Sequence, residues 1–65
     1  MDKTLFKAEV KKQLFLRKWS YADLSAHTTY TPKSIRQIMY DDSRLTERAI
    51  NEFACALEID VDKLE

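Results

Sequence analysis

Glycine does not occur in this chain, and proline, cysteine and histidine occur once each. The lack of glycine argues against tight hairpins, Gly-rich phosphate loops and strained turns, all of which lean on a residue without a Cβ. One cysteine, Cys55, leaves no disulfide framework. With His27 as its only companion no zinc site can be assembled, so neither a metal nor a cofactor is expected. Cys55 reads as a partly exposed free thiol without a role, and His27 as a cap or surface residue. No apolar run approaches the roughly 18 residues that span a bilayer, so no membrane partner is expected. Met1-Asp2-Lys3 does not open a long apolar leader, which points to the cytoplasm. No nucleophile–base pair is legible, so the chain does not read as an enzyme.

Helix formers are plentiful instead. With 65 residues, 45% of them hydrophobic, the chain can build one domain over residues 1–65 around one core. Such a domain buries only about 60% of its unfolded surface. Its core supplies roughly 3–5 kcal/mol of net stability, which makes a homodimer a natural supplement. Ala, Leu, Lys, Glu, Arg and Gln without glycine point to an all-α fold, a compact bundle of four to five short helices. The net charge is zero, but it is unevenly spread. Residues 1–40 carry eight basic side chains against three acidic ones, and residues 41–65 reverse this with three against eight. That asymmetry hints at a polyanion site on the first half.

Along the chain, Phe6, Val10 and Leu14 fall on one stripe of a helix over about residues 3–16, with Arg17 and Lys18 suited to its last turn. Leu5, Phe15 and Leu16 lie off that stripe, and a helix so apolar all round is either deeply buried or has a second partner. Ser20 reads as the N-cap of a short helix over about 21–28, with Asp23 three residues on forming a weaker version of the capping box and Trp19 placed to staple onto Leu24. Leu24 and the small Ser25 face inward there. Thr31-Pro32 starts a third helix, about 32–40, with Ile35, Ile38 and Met39 inward. About three residues (Thr29, Tyr30, Thr31) separate it from the second, a spacing that forces the sharp crossing of a helix-turn-helix. Thr46 caps a fourth helix with the stripe Ile50, Phe53, Ala54 and Leu57. Asp60 caps a last one from Val61 to about Leu64, with Ile59, Val61 and Leu64 closing the core.

Three stretches together resemble the Cro and phage-repressor helix-turn-helix family, also called XRE. Ser20-Tyr21-Ala22-Asp23-Leu24-Ser25 is similar to the opening of the family's second helix. Tyr30-Thr31-Pro32-Lys33-Ser34-Ile35-Arg36-Gln37-Ile38-Met39 is similar to its turn and recognition helix, and Ala54 to Leu64 to its ending. The likeness covers about residues 10–64 and implies a lambda-repressor-like DNA-binding domain. The pattern is departed from in three places: Tyr21 stands where glutamine is common, and Thr29 and the pair Asp41-Asp42 stand where glycine is common. Left-handed geometry at Thr29 would cost roughly 1 kcal/mol or more.

Two kinds of partner follow from these readings. One is operator double-stranded DNA, read in the major groove. Lys33, Arg36, Gln37 and Tyr40 point outward on the third helix, where arginine suits guanine and glutamine suits adenine. Thr31, Ser34, Tyr21 and Arg44 are the further DNA candidates, for phosphates or nearby bases. A lone module of this size would bind as a homodimer, with the fourth and fifth helices or the tail as the expected dimer surface. The alternative is an antirepressor, similar to the small phage modulators of repression, that engages a repressor protein's DNA-binding domain. Leu5, Phe15, Leu16, Asp41 and Asp42 are its interface candidates, as surplus apolar surface and negative charge matched to a basic partner. An antitoxin role would combine both surfaces.

Overall fold

The computed structural model describes residues 2–64, the side chain of Leu64 excepted. Four α-helices run in order: α1 (Lys3–Arg17), α2 (Tyr21–Ser25), α3 (Pro32–Tyr40) and α4 (Glu47–Leu57). Short 3-10 turns occupy Asp42–Arg44 and Val61–Leu64. No strand occurs among the described residues, and the domain is all-α. No described helix is long and apolar enough to cross a membrane.

Side-chain caps set the helix starts. Asp2 accepts from the Thr4 N–H at 2.8 Å ahead of α1. At α2 the capping box is complete, with Ser20 N–H donating to Asp23 and Asp23 N–H donating to Ser20 Oγ. Thr31 accepts from the Ser34 N–H at 3.1 Å with Pro32 at the first helical position, and Thr46 accepts from the Ala49 N–H. The limits expected for α3 are those observed.

α2 is shorter than the expected 21–28. It stops at Ser25, and the connection to α3 runs from Ala26 to Thr31 instead of three residues. The cause is local. Ser25 Oγ donates to the Tyr30 carbonyl at 2.8 Å, pulling the chain back, while His27 and Thr28 N–H groups bond carbonyls three residues earlier. Trp19 takes a partner the sequence did not suggest. Its ring stacks on His27 with centroids 4.6 Å apart, and the Arg17 guanidinium sits 5.4 Å from its centroid.

One core joins the helices. Phe6, Val10 and Leu14 of α1 and Leu24 of α2 meet Ile35, Ile38 and Met39 of α3 and Phe53 and Leu57 of α4. Leu45 and Ala49 are also buried, and neither belonged to the expected core. The inward line of α4 is Ala49, Phe53 and Leu57, leaving Ile50 and Ala54 half-buried beside it. An alanine carries little hydropathy of its own, and Leu45 lies in a connection outside any helical period. Ile59 and Val61 pack against this core as expected, whereas the Leu64 side chain lies outside the described residues.

The chain without glycine still makes left-handed turns, contrary to what its composition suggests. Lys18 (φ 58°) ends α1 and Glu58 (φ 56°) ends α4. In each case the following N–H bonds five residues back, Trp19 to Leu14 and Ile59 to Ala54, both at 2.9 Å. These bonds satisfy helix-end carbonyls, and half-buried Trp19 and Ile59 pack on the core, which offsets the strain. Thr29, by contrast, has no positive φ.

Candidate nucleic-acid interface

Burial of Ile35, Ile38 and Met39 turns the opposite side of α3 to solvent. Lys33, Arg36, Gln37 and Tyr40 are all exposed there, Tyr40 to 90%. These four, with Arg44 and Asp41, line one open concavity along the helix. Tyr21, at the start of α2, shares a second concavity with Lys33 and Arg36. The structure thus brings six of the eight expected DNA-contacting residues onto one continuous face: Tyr21, Lys33, Arg36, Gln37, Tyr40 and Arg44.

Thr31 and Ser34 belong to the cap of α3, although Ser34 also lines a concavity with Gln37 and Arg44. The Thr31 hydroxyl donates to Ser34 Oγ at 3.0 Å and accepts from the Ser34 N–H, so both side chains are occupied in capping α3. Their first job is structural.

Lys11 of α1 joins this face without having been singled out in the sequence. It lines a concavity with Tyr21, Arg36, Met39 and Tyr40. Its position one residue past Val10 places it beside the core stripe, but only the packing of α1 against α3 reveals its neighbours. Among the described residues, Lys11, Lys33 and Arg36 have no ion-pair partner. Their charge is available to a ligand.

The acidic pair next to α3 is engaged internally. The Ser43 hydroxyl and N–H donate to Asp41 at 2.8 and 3.0 Å, and with Arg44 and Lys7 nearby they hold its carboxyl below the usual range. Asp42 pairs with Lys7, whose ammonium also donates to the Met39 carbonyl at 3.1 Å. Lys3 donates to the Asp42 carbonyl. These contacts pin the end of α3 to α1. At the other end, Glu52 of α4 accepts from Thr29 N–H and Oγ, both at 2.8 Å, and from Arg48 Nε at 3.1 Å. Those bonds keep the Glu52 carboxyl below its ordinary value. A carboxylate from α4 therefore holds the turn at Thr29.

Leu5, Phe15 and Leu16 are exposed to 50%, 82% and 62%, all on α1 and away from Asp41 and Asp42 in sequence and element. Cys55 is exposed and free. Comparison with known proteins returns no family model, curated protein or solved structure that matches the chain.

Proposed function

We propose that this protein is a DNA-binding transcriptional regulator of a phage or bacterial genetic switch that reads the major groove with α3. The observation that carries the reading is the single face formed by Lys33, Arg36, Gln37 and Tyr40 with Tyr21 and Arg44 at its flanks. An α-helix fits the major groove, and α3 offers side chains of the right chemistry at its surface. Arg36 donates two bonds to a guanine edge and Gln37 pairs with adenine. Lys33, Tyr21, Arg44 and Lys11 reach phosphates and set register without reading sequence.

Fluorescence-anisotropy titration against the DNA upstream of its own gene, at two salt concentrations, tests this. Tight binding that weakens steeply with salt is expected. Arg36→Ala lowers affinity for the preferred site about 10- to 100-fold and leaves random-duplex binding nearly unchanged. Lys33→Gln weakens all duplexes alike and reduces the salt slope by about 1. Wild-type binding no better to the upstream DNA than to random duplex overturns the reading.

One observation favours the antirepressor reading: the exposed Leu5, Phe15 and Leu16 offer apolar surface to a protein. Its acidic half is weaker, because Asp41 and Asp42 are bound to Arg44, Ser43 and Lys7. Loss of repressor binding in Phe15→Ser, with Arg36→Ala unaffected, would select it.

A further inference from the structure

Among the described residues, three of the four large apolar side chains left exposed lie on α1: Leu5, Phe15 and Leu16. At 100° per residue, Leu5, Glu9, Lys12 and Leu16 (spacings of four, three and four) make one narrow stripe. That stripe lies roughly 130° around the helix from Phe6, Val10 and Leu14, which face the core. It is therefore a second seam, turned away from the core, with Leu5, Lys12 and Leu16 exposed and Glu9 half-buried beside Gln13, whose Nε2 donates to it at 3.4 Å.

The seam is complementary to itself when run backwards. Placing two copies of α1 antiparallel, with the two-fold axis between Val10 and Lys11, brings Leu5 level with Leu16 of the second copy. The same register sets Glu9 against Lys12, and two-fold symmetry repeats both pairings. Phe15, on the flank of the stripe, then falls between the heights of Ala8 and Leu5 of the other copy, on their side of the seam. A large ring thus meets a small exposed residue. Glu9 is the only acidic residue in α1, against Lys3, Lys7, Lys11, Lys12 and Arg17. A parallel pairing of α1 with itself would set Lys12 against Lys12, whereas the antiparallel register gives Lys12 an opposite charge. Among the described residues Lys12 has no ion-pair partner.

We propose that α1 is a homodimer interface, an antiparallel isologous pairing of Leu5, Glu9, Lys12 and Leu16 with Phe15 covering its flank. One arrangement covers every exposed large apolar side chain of α1 and uses its only acid. Two single helices bury less than the roughly 1,200 Å² of a standard interface, so the dimer is weak and concentration-dependent. The pairing involves neither Arg36 nor Gln37 and stands independently of the DNA reading.

Sedimentation equilibrium of the full chain without DNA, from micromolar to near-millimolar concentration, tests it. The wild type shifts from monomer to dimer across that range. Glu9→Lys alone sets two lysines against each other across the seam, and Lys12→Glu alone sets two glutamates together, so each is a monomer throughout. An equimolar mixture of the two variants dimerises again, because each pairing is then of opposite charge. Circular dichroism keeps the helical content of both variants in view, since positions 9 and 12 lie outside the core. A wild type that stays monomeric overturns the proposal and leaves the α1 face to a foreign protein. So does a mixture that associates no better than its components, which would mean the dimer forms through another surface.

Discussion

Lys18 and Glu58 stand at the two places where a helix end turns left-handed, at φ 58° and 56°. A side chain with a Cβ in that region costs about 1–2 kcal/mol relative to right-handed geometry, a penalty glycine escapes. Lys18→Gly should therefore raise stability by about 1 kcal/mol, measured by urea denaturation, because the bond from Trp19 N–H to Leu14 is kept. Thr31 works in the opposite sense. Thr31→Ala removes the acceptor for the Ser34 N–H and should cost about 1 kcal/mol, while Thr31→Ser retains most of the cap. If Thr31→Ala weakens DNA binding only in proportion to folding, its role is the cap alone. The caps were legible because each rests on a short local pattern. The left-handed residues were not, because lysine and glutamate give no sign of such a backbone until the residues that follow them are seen packed on the core.

At the scale of elements, α3 is held at both ends by other helices. Lys7 and Lys3 of α1 grip its C-terminal end, and Glu52 of α4 grips the turn before it. The sign of the resulting pH dependence follows from Glu52. The Thr29 N–H and hydroxyl, with Arg48, favour the charged carboxylate in the folded state and hold its pKa down. Its contribution is complete above the ordinary carboxylate range and is lost as pH falls through the lowered folded value. The thermal midpoint should be level near neutrality and fall below about pH 4. Glu52→Gln should be less stable at pH 7 and should lose less on acidification, with Asp41 contributing a remaining loss of the same sign. Equal acid sensitivity in Glu52→Gln and wild type would show that the clamp does not contribute. The residues of this clamp lie 23 positions apart, so no local pattern announces it. Arg17 illustrates the same limit. It does lie in the last turn of its own helix, as expected, but it also donates to the Leu57 carbonyl at the end of α4, at 2.9 Å, which no local pattern shows.

Across the whole molecule, folding pairs acids of the second half with bases of both halves. Asp41, Asp42, Glu52 and Glu58 of the acidic half lie against Arg44, Lys7, Arg48 and Arg17. Lys11, Lys33 and Arg36 are left unpaired among the described residues, on the face formed by α1, α2 and α3. A chain with no net charge can thus present a basic surface on one side. The same economy applies to the core. Phe53 is fully buried and meets Tyr30 edge-on at 5.8 Å. Phe53→Ala should cost about 3–5 kcal/mol, comparable to the whole stability of a domain this small. Far-UV circular dichroism at room temperature should show that variant largely unfolded, and a native spectrum with a modest fall in thermal midpoint would contradict this account of the core.

Helix positions, three of the four α-helix caps, most of the core and the outward chemistry of α3 were determined by the sequence itself, since apolar spacing and capping act over three or four residues. The early stop of α2, the burial of Leu45 and Ala49, the left-handed ends at Lys18 and Glu58, the clamp from Glu52 and the approach of Lys11 to Tyr21 were decided only in the tertiary structure. Each depends on a contact between residues of different elements. Such contacts exist only after the helices have packed, when burial of one face fixes which side chains of the others meet.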